Sequence, residues 1–353
     1  MTTDEKYMMR CLQLAQIAEG MTSPNPMVGA VIVHSGKIIG EGYHHGAGLP
    51  HAEPNAINSV KDKSLLANAT MYVSLEPCSH WGKTPPCADL IVKHHLRRVV
   101  VAILDPNPKV SGRGVEIMQN AGIEVTVGVL EQEAREINRR FLTVQEQHRP
   151  YVILKWAQTA DHYIDICRTS PLSGPIKISN TLTKTLNHQI RSTEDAIMVA
   201  TDTVCLDNPH LTINKWSGKN PIRVILDRTC RIPVGSKIFD TAAPTIVFTA
   251  CSDATKYQSE NDNVTFKTID FSEDIVRQIL TYLATQHINS IIIEGGAHWL
   301  QTVIDSHLWD EARIETSPLM LKSGVKTPKI DGITANIEHF GQNIITTLRP
   351  IKI

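Results

Sequence analysis

His51-Ala52-Glu53-Pro54, followed by Pro77-Cys78-Ser79-His80-Trp81-Gly82-Lys83-Thr84-Pro85-Pro86-Cys87, decides the fold of the first half of this chain. The two stretches supply one imidazole, two thiols and a carboxylate two residues after the histidine. A hydrolytic zinc site needs three protein ligands, an open fourth position for water and a neighbouring acid–base group. His51 falls at the start of a helix-compatible run, 52–61, where one turn aims His51 and Glu53 at a common point. Cys87 opens the next helical run, 87–96, and the free N–H groups of a helix start favour thiolate over thiol. We read His51, Cys78 and Cys87 as donors for one Zn2+, and Glu53 as the residue that moves the proton of the attacking water.

This is the set that zinc deaminases use, with a glutamate that is not a ligand passing a proton to the departing ammonia. Their usual pattern closes with Cys-x-x-Cys, whereas eight residues separate the two thiols here. Those residues form a loop, hinged at Gly82 and stiffened by Pro85-Pro86, that brings His80 and Lys83 beside the metal. A cationic loop there points to an anionic substituent on the substrate, a phosphate for example. Two blander readings stand beside it: a solvated Lys83, and His80 closing the site as a fourth, structural ligand. In a closed site, however, a glutamate two residues from the histidine has no task. Ser23-Pro24-Asn25-Pro26 and Gly42-Tyr43-His44 lie within reach, and an asparagine on a proline-flanked turn either reads a heterocycle edge or serves the turn itself.

The chain has 353 residues, enough for about two domains. Hydrophobic residues are 42% and charged residues 20%, so each half can bury a core, and 35 basic side chains face 36 acidic ones. A formal net charge of −1 argues against a nucleic-acid or membrane footprint. No apolar run approaches the ~20 residues of a membrane span and no leader pattern is visible, which predicts a cytoplasmic protein. Seven cysteines are too few and too scattered for a disulfide framework. Cys11, Cys167, Cys205, Cys230 and Cys251 read as reduced, mostly buried thiols.

Periodicity predicts a helix over 4–19, a hairpin of 28–33 and 37–43 turned at Ser35-Gly36, strands 71–75, 99–104 and 123–127, and helices 112–121 and 131–142. Alternation of this kind predicts a three-layer α/β/α domain. His148-Arg149-Pro150 is the best boundary, giving domains 1–148 and 149–353. The second half restarts with strand 151–154, then strands 196–200, 222–227, 245–249 and 290–293, with helices near 181–191, 273–286 and 297–307. Strand 311–317 and the tail 344–353 are expected to add an antiparallel edge. Glu294-Gly295-Gly296 between a strand and a helix offers bare N–H groups to a dinucleotide phosphate, or only tight packing. No Gly-x-Gly-x-x-Gly opens either half, so an ordinary Rossmann site is not supported.

Pro24-Asn25-Pro26-x-Val28-Gly29-Ala30, His51-Ala52-Glu53 and the run Glu76 to Cys87, with Asp105-Pro106-Asn107-Pro108 and Ser111-Gly112-x-Gly114, resemble the deaminase domain of bifunctional riboflavin-biosynthesis enzymes. That resemblance implies a cytidine-deaminase-like fold and hydrolysis of the 2-amino group of a phosphoribosylated diaminopyrimidinone. It places His80 and Lys83 at the phosphate, Asn25 and His44 at the base, and Asp105 and Asn107 at the ribose. The second half resembles the reductase domain of the same family, with a dihydrofolate-reductase-like fold. The matching runs are Leu154-Lys155-x-Ala157, His188-x-x-Arg191, Thr203-Val204-x-x-Asp207-Asn208-Pro209-x-Leu211-Thr212, Pro221-x-Arg223 and Glu294-Gly295-Gly296-Ala297. By resemblance NADPH reduces the ribosyl group to a ribityl chain. Arg191, Leu211 and Glu294 would meet the substrate, and Ala157, Thr203, Asp207, Gly295 and Gly296 the cofactor. The family also implies a homo-oligomer, dimer or tetramer. This chain departs from the pattern at His162, where glycine is common, at Lys177, where tryptophan is frequent, and at Asn214, where arginine is expected and Lys215 or Lys219 is the available replacement. Two other classes compete: a nucleic-acid base deaminase, against which the neutral charge counts, and a structural zinc module beside a nucleotide-binding domain.

Overall fold

A computed structural model describes residues 1–81, 85–107, 111–252 and 263–351. The chain divides into two compact units, Met1–His148 and Arg149–Ile353. All seven cysteines are free; Cys11 and Cys230 are buried, while Cys205 and Cys251 are half-buried and Cys167 is exposed. The expectation of mostly buried thiols therefore holds for only some of them. Among the described residues, no helix is long and apolar enough to cross a membrane.

The N-terminal unit opens with α1 (Thr3–Gln16), capped by a reciprocal Thr2–Glu5 pair. There follow β1 (Gly29–His34), β2 (Lys37–Tyr43), α2 (Ala52–Ser59), β3 (Thr70–Val73), α3 (Cys87–Lys93), β4 (Arg98–Val101), α4 (Arg113–Asn120), β5 (Glu124–Val127), α5 (Glu131–Ile137) and α6 (Arg139–Gln147). The strands lie in the order β2-β1-β3-β4-β5, with β1 antiparallel to both neighbours and β3, β4 and β5 parallel. Successive residues of a strand face opposite sides. Ile32, Val73 and Val101 therefore pack with Ala56, Ile91 and Met118, whereas Val31, Tyr72 and Val100 pack with Met8, Ala134 and Leu142. The expected three layers result. On β2, a Cβ at Gly42 would lie 2.3 Å from Ala56 N, so α2 rests directly on the strand backbone.

One helix expected over 131–142 is instead two. Asn138 is drawn out of line, where Met27 N donates to its Oδ1 at 2.8 Å and its Nδ2 donates to Met27 O at 3.0 Å. The unit ends as α6 stops on His148, whose φ of 56° is left-handed and cannot continue a helix.

The C-terminal unit contains β6 (Tyr151–Thr159), β7 (Tyr163–Asp165), α7 (Thr181–Thr193), β8 (Ala196–Ala200), α8 (Thr201–Asp207), β9 (Ile222–Leu226), β10 (Thr245–Thr249), β11 (Val264–Thr268), α9 (Ile275–Thr285), β12 (Ser290–Gly295), α10 (Ala297–Asp305), β13 (Glu311–Ser317), β14 (Val325–Lys326), β15 (Ile333–Phe340) and β16 (Asn343–Arg349). Nine strands run β11-β10-β9-β8-β12-β6-β13-β16-β15. From β11 to β13 every neighbouring pair is parallel, and β16 and β15 add antiparallel strands. The expected edge of 311–317 with the tail does form, but β13 is itself parallel to β6, and β15, not anticipated, completes it. Residues of β15 are exposed on both faces up to Phe340, so its sequence carries no inside-outside alternation. His162, where the resemblance leads us to expect glycine, adopts φ 63°, in the left-handed region that favours glycine.

Candidate active sites

His51 immediately precedes α2 and Glu53 lies in its first turn; Cys78 follows β3, and Cys87 is the first residue of α3. His51 Nδ1 lies 3.6 Å from Cys78 Sγ and 3.4 Å from Cys87 Sγ, and the three donor atoms all fall within 4.8 Å of one another. A tetrahedral zinc ion with ordinary Zn–S and Zn–N bonds has ligand–ligand edges of about 3.5 Å, so donor set and spacing fit it. Cys87 N–H donates to Cys78 Sγ at 3.3 Å. Hydrogen bonds from the Cys87 thiol and from His51 hold the Cys78 thiol well below its usual range, against the effect of burial. The bond to Cys78, then burial, push Cys87 up. As a pair the thiols release a first proton readily, as a cation site requires.

His80 is outside this donor cluster and stands exposed at the rim of the cavity. Glu53 is also outside it and is 3% exposed. Burial, then the neighbouring Cys78, push its carboxyl up to about 7. A carboxyl that titrates near neutrality can both take and give a proton.

A cavity of about 190 Å³ opens over these groups, lined by Asn25, Pro26, Val28, His44, His51, Glu53, Leu75, Glu76, Cys78, His80, Asp105 and Phe141. His44 Nδ1 lies 3.1 Å from Pro50 O, a pure acceptor, so that nitrogen carries the hydrogen. Its Nε2 then accepts from Asn25 Nδ2 at 3.1 Å. Burial holds His44 below its usual pKa, which keeps the ring neutral. Asn25 retains its second N–H and its Oδ1 to offer a heterocycle. Burial raises the Asp105 carboxyl. Asn107 does not line the cavity, and its backbone N–H donates to Asp105 Oδ1 at 2.9 Å. Lys83 lies outside the described residues.

Glu76 received no role from the sequence. It is 3% exposed, and its carboxylate accepts from the N–H groups of Asp105 (3.1 Å), Gly112 (3.0 Å), Gly114 (2.9 Å) and Val115 (3.3 Å). It thereby caps the start of α4 from another element and ties the Asp105 turn to the chain leading into Cys78. Glu76→Gln turns an amide N–H toward these donors. It is expected to cost the N-terminal unit about 3 kcal/mol or more, read as a lower urea midpoint for that unit.

In the C-terminal unit, Ala157, Glu294 and Gly295 sit at the carboxyl ends of the adjacent strands β6 and β12, and Thr203 lies on α8 just beyond β8. Ligands of parallel sheets gather at such ends. A Cβ on Gly295 would come 3.3 Å from Thr203 Oγ1, so the turn before α10 lies close to α8. Bare N–H groups at that helix start suit the diphosphate of a dinucleotide. Two of the three residues expected at the substrate meet each other: Arg191 Nη2 donates to Glu294 Oε2 at 2.6 Å, with Lys155 Nζ 3.6 Å from Glu294 Oε1. Burial pushes the Glu294 carboxyl up, but Arg191 and Lys155 outweigh it and hold it at about 2. Asp207 accepts from Arg168 Nη2 at 2.6 Å, and Arg168, missed in the sequence, also pairs with Asp165. Leu211 is 4% exposed and packs in the core with Val204 and Ile197, so its side chain is committed there. Asn214 N–H donates to His188 Nδ1 at 3.3 Å.

Residues 1–103 match the family model of the cytidine and deoxycytidylate deaminase zinc-binding region, and residues 150–338 match that of the RibD C-terminal domain. The riboflavin biosynthesis protein RibD of Aquifex aeolicus (strain VF5) is 41% identical over 325 residues, covering 91% of this chain and 89% of its own length. RibD of Escherichia coli (strain K12) is 35% identical over 343 residues, 92% of this chain and 90% of that one. Among solved structures, a diaminohydroxyphosphoribosylaminopyrimidine deaminase/5-amino-6-(5-phosphoribosylamino)uracil reductase from Thermotoga maritima is 36% identical, superimposes with a TM-score of 0.88 and covers 99% of both chains.

Proposed function

Because the chain belongs to the RibD family of riboflavin biosynthesis, it is a bifunctional deaminase and reductase, and we propose how its residues divide that work. The N-terminal unit hydrolyses the 2-amino group of 2,5-diamino-6-(5-phosphoribosylamino)pyrimidin-4-one, and the C-terminal unit reduces the ribosyl group of the product to ribityl. The observation that carries the first assignment is a three-donor cluster beside a buried, non-ligand Glu53 in one small cavity.

Zinc held by His51, Cys78 and Cys87 supplies, when bound, the Lewis acidity that makes water a nucleophile at neutral pH. Glu53 takes the proton of that water on its carboxylate and hands it to the leaving amine. Asn25, oriented by His44, reads the pyrimidine edge. Asp105 and Asn107 serve the ribose, Asn107 through the turn it forms with Asp105, and His80 and Lys83 meet the phosphate.

In the reductase unit NADPH, when bound, supplies the hydride. The Gly295-Gly296 turn and the start of α10 seat its diphosphate, with Ala157 on the neighbouring strand β6 and Thr203 and Asp207 on α8 contributing to the same cofactor. Glu294, kept ionised by Arg191 and Lys155, accepts a hydrogen bond from a substrate hydroxyl. Arg191 acts through that carboxylate, and Leu211 through its backbone. On the family reading we also assign a cytoplasmic location and a dimeric or tetrameric state, the latter checked by sedimentation.

The test supplies the phosphoribosyl-diaminopyrimidinone to purified, zinc-loaded protein with and without NADPH and identifies products by mass. Ammonia and the deaminated nucleotide are expected in both arms, and the ribityl product only with NADPH. Ammonia release that requires NADPH, or none in either arm, defeats the assignment.

A further inference from the structure

At the break between α5 and α6 stands Asn138, whose side chain reaches back to the stretch that carries Asn25. Asn138 is 2% exposed, yet its amide is satisfied by one backbone residue 111 positions away, accepting from Met27 N and donating to Met27 O. Pro24 and Pro26 carry no N–H; the stretch is held at Asn25, whose N–H donates to Thr22 O at 2.8 Å, at Val28, whose carbonyl accepts from His44 N at 2.9 Å, and between them at Met27 by Asn138. Met27 is flanked by Pro26 and Val28, both of which line the cavity with Asn25. Phe141, three residues beyond Asn138 on α6, lines the same cavity.

We propose that Asn138 is a positioning residue for the pyrimidine: through Met27 it fixes the wall that presents the Asn25 amide. This role rests on the deaminase reading above. Asn138 touches no zinc donor, so its loss should displace the base-reading group without displacing the metal. A misplacement of about 1 Å in a positioned group can cost up to ~100-fold.

The experiment is a double-mutant cycle on full-length, zinc-loaded protein, following ammonia release and zinc content in wild type, Asn138→Ala, Asn25→Ala and the double variant. Asn138→Ala is expected to raise KM about 10-fold or more, with kcat within about 3-fold and one zinc per chain. The double variant should exceed the worse single variant by no more than about 2-fold, because both changes remove one interaction. Multiplying KM effects, an unchanged KM in Asn138→Ala, or loss of zinc with kcat at constant KM each overturn the role. Should Asn138→Ala fail to fold by circular dichroism, Asn138→Asp enters the same cycle with the same criteria; it keeps the acceptor for Met27 N and sets a second acceptor against Met27 O. Absence of ammonia from wild type overturns the deaminase reading along with this one, whereas normal wild-type turnover with an unaltered variant KM overturns this one alone.

Discussion

Glu53→Gln abolishes ammonia release, lowering kcat on the order of 10³-fold while zinc stays bound. The amide is nearly isosteric with the carboxylate and can sit in the same buried position, but it cannot take up a proton. Metal content is expected to hold because the donors are His51, Cys78 and Cys87, and Glu53 is not among them. The C-terminal unit should still oxidise NADPH when given the deaminated intermediate directly. A coupled ammonia assay with metal analysis on the same sample checks all of this, and surviving deamination would remove Glu53 from the mechanism.

Glu294→Gln has the second large effect, and it falls on the other activity. Arg191 and Lys155 both lean on this carboxylate, so its neutralisation leaves two largely buried cations facing each other. Breaking a buried pair in this way costs roughly 3–5 kcal/mol. The pH dependence carries the same signature. With the folded carboxyl at about 2 against its ordinary 4.5, the group stabilises the unit above pH 4.5, and that stability is lost as pH falls toward 2. The shift corresponds to about 3 kcal/mol. Urea unfolding across that range should show wild type and Glu294→Gln converging in acid and diverging toward neutrality. Parallel curves would mean that the ion pairs do not hold the carboxylate. NADPH oxidation should fall with the variant while ammonia release continues.

What could be read in advance follows the range of the interactions involved. His51, Glu53, Cys78 and Cys87 are legible because metal chemistry demands particular side chains at short spacings. The layered fold of the first half is legible because runs such as Val99-Val100-Val101 alternate between two covered faces. Glu76 and Asn138 were invisible: their partners are backbone groups 29 to 39 and 111 residues away, and a backbone partner leaves no mark on composition. Arg191 and Glu294 were both named, but as separate substrate contacts, since nothing in either motif shows that helix α7 delivers one onto the other. The short α8 spans too few turns for a period to emerge, and β11 and β15 hide because edge strands bury little on either face.

The left-handed stop at His148 falls where the two units meet in sequence, and each sheet draws its strands from one side of that point. A genetic joint placed there interrupts no strand ladder, so the arrangement is one that fusion of two once-separate reading frames could produce without redesigning either product. What such a fusion secures is stoichiometry. Every ribosome that completes this chain makes one of each active site, and the ratio of the two activities stays fixed however strongly the message is expressed.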